Sequence, residues 1–117
     1  MGRLTTHILD TSAGRPAGGI RIELFWLDGG VREKLTEAVT NDDGSCDAPL
    51  LDDIEFRCGE FKLLFEAGAY FEANGVTLPE PKFLDVVTIR FGVAAADYHY
   101  HVPLLMSPFG YSTYLGS

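Results

Sequence analysis

The sequence predicts an all-β fold, an antiparallel β-sandwich carrying one short helix. Apolar residues recur with period two through most of the chain, and each alternating run is short and closed by Gly, Pro, Asn or Asp. Only residues 68–74 read as helix. A chain of 117 residues has the size of one ordinary domain, so residues 1–117 are expected to share a single core.

Taken in order, Gly18 and Gly19 form a turn ahead of the first long strand, in which Ile20, Ile22, Leu24 and Trp26 alternate with Arg21, Glu23 and Phe25. One face of such a strand lies on a core. Asp28-Gly29-Gly30 ends it, and Arg32 to Thr40 supplies a partner, which completes a hairpin. Asn41-Asp42-Asp43-Gly44 is a dense turn signal, because Asn and Asp bond their own backbone and Gly accepts positive φ. Phe61, Leu63 and Phe65 resume the alternation after Gly59. Gly68 to Asn74 follows as the helix, with Gly75 as its stop. Pro79 and Pro81 impose an extended linker. Val87, Ile89 and Phe91 mark another strand and Tyr98 to Leu105 the next; after a loop at Ser107-Pro108-Phe109-Gly110, Tyr111 to Leu115 forms the last. Trp26, Phe61 and Phe65 are expected in the core, and Tyr98 and Tyr100 are expected to pack on the face opposite His99 and His101.

Composition narrows the function. Nine Lys and Arg against seventeen Asp and Glu, a net charge of −8, cannot line a groove for duplex nucleic acid, which is bound by neutralising phosphates. No apolar stretch approaches the roughly 18 residues of a membrane span, and no apolar leader follows the first arginine, so the expected compartment is the cytoplasm. Cys46 and Cys58 fit no zinc or redox spacing and are expected as free, structural thiols. Asp42 and Asp43 are turn residues, since no spaced acidic ligands follow them as a calcium loop requires.

The three histidines are the residues best suited to chemistry. His99 and His101, two apart on a strand, project to one face, and His7 shares its face with Thr5 and Leu9. Imidazole exchanges a proton near neutral pH, so such a cluster suits general acid or base work on water. His-x-His is also a metal half-site that a third histidine would complete, and equally an ordinary pair of structural histidines. Spacing alone leaves these three readings open. A serine nucleophile is poorly supported, because there is no Gly-x-Ser-x-Gly elbow, and no Gly-rich phosphate loop is present.

Two longer motifs are more specific. Leu4-Thr5-Thr6-His7-Ile8-Leu9-Asp10-Thr11 with Gly14-Arg15-Pro16-Ala17 at one end, and His99-Tyr100-His101-Val102-Pro103-Leu104-Leu105 with Ser107-Pro108 and Gly110-Tyr111-Ser112-Thr113-Tyr114 at the other, resemble the opening and closing signatures of the transthyretin-like 5-hydroxyisourate hydrolases. The resemblance implies a transthyretin-like sandwich, assembled as a homotetramer with sites at a subunit interface. It also implies hydrolysis of a cyclic amide in a small purine-derived substrate, with neither metal nor cofactor. His7 and His101 match the family's catalytic histidines. Ser45, His99, Tyr114, Leu115, Gly116 and Ser117 fall at or beside its substrate-binding positions.

The chain departs from that pattern at two places. The family usually carries arginine after the Asp-Gly turn, where Ser45 stands, and ends Tyr-Arg-Gly-Ser, where this chain reads Tyr114-Leu115-Gly116-Ser117. Neither Ser45 nor Leu115 can supply a guanidinium's charge and five donors. N-methylation of the purine removes ring N–H groups and adds apolar bulk, against which a desolvated arginine without a partner would cost several kcal/mol, roughly. The expected substrate is therefore an N-methylated hydroxyisourate such as the 1,3,7-trimethyl compound from caffeine C8 oxidation. The ordinary 5-hydroxyisourate of urate breakdown is the alternative substrate, and a non-catalytic ligand-binding protein the alternative function.

Overall fold

A computed structural model describes residues 2–116. Among the described residues are nine strands and two short helical segments: β1 (Arg3–Asp10), β2 (Arg15–Pro16), β3 (Arg21–Asp28), β4 (Val31–Val39), β5 (Leu51–Asp52), a 3-10 turn (Asp53–Glu55), β6 (Gly59–Glu66), α1 (Ala67–Ala73), β7 (Val86–Val93), β8 (Tyr100–Ser107) and β9 (Gly110–Thr113). One sheet runs β2-β1-β8-β9, with β5 also paired to β1, and the other runs β4-β3-β6-β7. Their inner faces enclose a single cluster that includes Leu4, Ile8, Ile22, Phe61, Phe65 and Leu104. Burying each such side chain contributes on the order of 1.5–3 kcal/mol. The sandwich with one short helix is thus as expected, and the helix is displaced by a single residue toward the N-terminus.

The antiparallel expectation holds for every ladder but one. β1 and β8 run parallel, with Thr5 opposite His101, His7 opposite Pro103 and Leu9 opposite Leu105. Parallel neighbours need a long crossover, and here the whole second sheet lies between them in sequence. In-register residues of a parallel pair share a face. Leu4, Ile8, Val102 and Leu104 therefore point into the core, while Thr5, His7, Leu9 and His101 lie on the outer face, only half covered.

Two strand boundaries and the burial of one aromatic residue also differ. The penultimate strand begins at Tyr100, not Tyr98, and Tyr98 is 66% exposed instead of packed. Tyr100 does pack, edge-on to Phe56 at 5.7 Å, and its hydroxyl accepts from the amide of Ala94 at 3.1 Å. The last strand ends at Thr113, leaving Tyr114 and Leu115 outside it. Trp26 is half-buried rather than central. It keeps the core-side face, paired with Phe61 and packed against the core, between the edge of Phe61 and the Arg57 guanidinium, 4.1 Å from its ring, while Phe25 is buried under the Arg32 guanidinium.

At the far end of β1, Asp10 is buried and satisfied. Its carboxylate accepts from the Ser12 hydroxyl at 2.6 Å, the amides of Ser12 and Ala13, and the Tyr70 hydroxyl of α1 at 2.9 Å. Burial pushes this carboxyl upward, but the bonds from Ser12, Tyr70 and the two amides outweigh it and hold it below the ordinary range. The network ties the helix to the histidine-bearing strand. Cys46 and Cys58 are both free thiols. Among the described residues, no helix is long and apolar enough to cross a membrane.

Candidate active site

The outer face of β1 and β8 carries the histidine cluster. Thr5, opposite His101 in the parallel ladder, places its hydroxyl 2.8 Å from His101 Nδ1 and 2.7 Å from His99 Nε2. His99 precedes the strand, yet it reaches the same point as the strand-borne His101, with ring centroids 6.2 Å apart. His7 lies one alternation further along β1, its ring near-parallel to that of His101 (23°) at 6.4 Å. All three histidines therefore gather on one surface. Among the described residues, no group of three His, Cys, Asp or Glu side chains is arranged to hold a metal ion.

Ser45 and Gly116 flank this cluster from opposite sides. The Asn41–Ser45 turn is closed by bonds between Asn41 and Ser45, Gly44 and Asn41. It docks on β1, where Ile8 donates to the Gly44 carbonyl at 2.8 Å and Ser45 bridges to His7. Gly44 has φ +77°, and a Cβ there would lie 2.4 Å from the Ile8 carbonyl, so the turn needs glycine on two counts. On the other side the Gly116 amide donates to the His101 carbonyl at 2.7 Å. A Cβ on Gly116 would stand 3.0 Å from His101 Cδ2.

A cleft of about 270 Å³ opens beside His101, lined by Arg3, Thr5, Thr6, Ser45, Cys46 and Asp47 among others. That is slightly below the roughly 300 Å³ at which pockets for drug-sized molecules begin, suited to a small polar ligand. His101 is half-buried here, and burial, followed by the like charges of His7 and His99, lowers its basicity below the ordinary imidazole value. This favours its neutral form, and one ring nitrogen is held by Thr5. The Cys46 thiol is pushed up by burial and by Asp47, which keeps it protonated and unreactive.

Tyr114 and Leu115 lie elsewhere in the same chain. Both are exposed and line a separate, mostly apolar groove of about 220 Å³ with Tyr100, Val102, Phe91 and Thr113. Ser117 lies outside the described residues. The structure thus joins His7, His99, His101, Ser45 and Gly116, and separates Tyr114 and Leu115 from them. Thr5 is the residue that sequence reading left without a role. The signal was its place on the His7 face; that it would meet both other histidines depends on the parallel pairing with β8.

Comparison with known proteins identifies the family. The sequence model described as "HIUase/Transthyretin family" matches residues 4–116. The protein named 5-hydroxyisourate hydrolase from Mesorhizobium japonicum is 60% identical over 116 residues, covering 99% of this chain and 93% of its own. Its namesake from Pseudomonas aeruginosa is 56% identical over 117 residues, covering 100% and 93%. Among solved structures, an (S)-allantoin synthase superposes with a TM-score of 0.94 at 44% identity, over 99% of this chain and 44% of that one. Sea bream transthyretin in complex with thyroxine superposes with a TM-score of 0.87 at 28% identity, over 97% and 94%. With a family match spanning nearly every described residue and relatives at 56–60% identity, the chain belongs to the HIUase/Transthyretin family.

Proposed function

We propose that this chain is a cyclic amide hydrolase that opens the six-membered ring of a hydroxyisourate. The carrying observation is the pair His7 and His101 on one half-buried face, with His101 oriented through Nδ1 by Thr5; its burial favours the neutral form. A neutral imidazole can take a proton from water as that water attacks the ring carbonyl, and the expelled ring nitrogen then receives a proton. The tetrahedral oxyanion needs a donor, which a ring N–H of the second histidine can supply. The names of the relatives favour 5-hydroxyisourate itself as the substrate over the N-methylated form that Ser45 and Leu115 suggested.

The methylated substrate keeps one specific support. Ser45, small and uncharged, bridges to His7, and Leu115 is 67% exposed in an apolar groove. A ring that has lost N–H groups and gained methyls suits such neighbours better than an anion would. We also read the working unit as a homotetramer with sites between subunits, supported by Leu9 and Leu105 on the histidine face and by the exposed apolar side chains around Leu115. One domain in the cytoplasm fits the shared core and the unpaired cysteines.

The test follows ultraviolet decay of 5-hydroxyisourate and of its 1,3,7-trimethyl analogue, each generated in situ, with protein and with His101→Ala. Acceleration of the first compound, lost in the variant, is the expected result. Acceleration of the trimethyl compound alone would transfer the assignment to the methylated substrate. Acceleration of neither would replace hydrolysis with ligand binding of the kind that the thyroxine complex of sea bream transthyretin exemplifies.

A further inference from the structure

The Thr5 hydroxyl has one proton and stands between two ring nitrogens, 2.8 Å from His101 Nδ1 and 2.7 Å from His99 Nε2. It can donate to only one of them, so the other ring must donate to its oxygen. Two arrangements satisfy both contacts. In the first, His101 Nδ1–H donates to Thr5, Thr5 donates to His99 Nε2, and His101 Nε2 is left as a lone pair. In the second, His99 Nε2–H donates to Thr5, Thr5 donates to His101 Nδ1, and His101 Nε2 bears the proton. The tautomer of one histidine dictates that of the other.

The two rings differ in what a positive charge would cost. His101 is half-buried beside His7, Gly116 and the cleft residues Arg3, Cys46 and Asp47, whereas His99 is exposed to water. A cation is better solvated on the exposed ring. Histidines in general-base roles commonly have a carboxylate or carbonyl to orient and stabilise them. Among the described residues, the hydrogen bonds to these two rings come only from Thr5.

We propose that Thr5 and His99 form a proton relay for His101, resting on the hydrolase reading above. Water gives a proton to His101 Nε2 as its oxygen bonds to the ring carbonyl carbon. His101 Nδ1–H then passes its proton to Thr5, and Thr5 passes its own to His99 Nε2. His101 ends neutral with Nε2–H, His99 ends as the cation, and no proton is gained or lost. When the C–N bond breaks, the shift reverses and Nε2 delivers its proton to the departing nitrogen. Thr5 thereby lets one imidazole act as base and then as acid without holding charge in the half-buried cleft.

The relay is tested with Thr5→Val, Thr5→Ser, His99→Asn and the double variant Thr5→Val/His99→Asn, on whichever hydroxyisourate the wild type opens. Valine keeps the shape and β-branching and removes only the hydroxyl. The expected loss in kcat is roughly 10- to 100-fold for Thr5→Val, of the size general acid–base assistance supplies, with KM changed by less than about threefold. Thr5→Ser recovers most of the loss. The double variant is no slower than the worse single one, because both break one unit. Imidazole ¹⁵N spectra should show the His101 tautomer shifting in Thr5→Val. An active wild type with Thr5→Val equal to it, or single losses that multiply in the double variant, would overturn the relay and leave the hydrolase reading intact. A wild type that opens neither substrate removes the hydrolase reading, and the relay is then overturned if the His101 spectrum is unchanged in Thr5→Val and kept as a hydrogen-bonded couple if it shifts.

Discussion

Gly116 lies against the imidazole of His101: its amide donates to the His101 carbonyl at 2.7 Å, and a Cβ on it would stand 3.0 Å from Cδ2. The chain beyond β9 thus returns across β8 and closes one side of the histidine cluster. A methyl at Gly116 must move either this segment or the ring. Gly116→Ala is expected to lower kcat by about tenfold, since small displacements of a positioned group cost that much or more. Its melting temperature should stay near wild type, because Gly116 is peripheral to the core. Steady-state kinetics with a thermal melt checks both expectations.

On the proposed mechanism the acid limb of activity is expected to follow His101. Burial first, then the charges of His7 and His99, lower its basicity, so the neutral, base-competent form persists to lower pH than a free imidazole allows. Activity is lost as pH falls through this lowered value. The expected midpoint of kcat/KM therefore lies below 6.5, the ordinary histidine value. A midpoint at or above that value would exclude His101 as the base.

Restoring the two guanidiniums should redirect specificity. Ser45 bridges to His7 and Leu115 is exposed, so arginine at either position adds charge without entering the core. The double variant Ser45→Arg/Leu115→Arg is expected to raise the kcat/KM preference for unmethylated over trimethyl substrate by about tenfold or more, as charged donors meet ring N–H and carbonyl groups or are left unpaired. Competition between the two substrates in one cuvette reads the ratio directly.

Two glycines with similar φ should respond differently to alanine. Gly75 has φ +85° with open space around it, so Gly75→Ala bears only the left-handed backbone cost, about 1–2 kcal/mol. Gly44 has φ +77° and the Ile8 carbonyl 2.4 Å from its would-be Cβ. Gly44→Ala should lose clearly more, about 2 kcal/mol or above, and should also weaken activity by loosening Ser45 from His7. Urea midpoints of the two variants give the comparison.

The buried carboxylate of Asp10 offers a check far from the cluster. Tyr70→Phe removes one donor and is expected to cost about 1–2 kcal/mol. Because hydrogen bonds hold Asp10 below the ordinary carboxylate range against its burial, their stabilising contribution is present at neutral pH. It fades as pH falls through the lowered value. The stability gap between wild type and Tyr70→Phe should therefore narrow in acid.

By itself the sequence determined the kind of fold and the chemistry available. Period-two alternation in 20–26, 61–65 and 87–91, with turn residues at 28–30 and 41–44, is a local signal, because side chains alternate across any pleated strand and Asx-Gly turns act over four residues. The three histidines and the two end motifs were equally legible. What the sequence left undecided was non-local. Tyr98 and the stretch 114–115 fit a strand pattern, but strand ends depend on which neighbour offers hydrogen bonds, and these residues have none in a ladder. Trp26 follows the core pattern and does lie on the core face, but its half-burial depends on non-local neighbours, Phe61 of β6 and the Arg57 guanidinium. The largest decision belonged to β1 and β8, about a hundred residues apart in sequence, whose parallel register sets Thr5 against His101 and His99. Local propensity carries no information about such a partner. Only the closing of the whole sandwich, which must bury Leu4, Ile8, Val102 and Leu104 together, turns one face of each strand into the core and the other into the site.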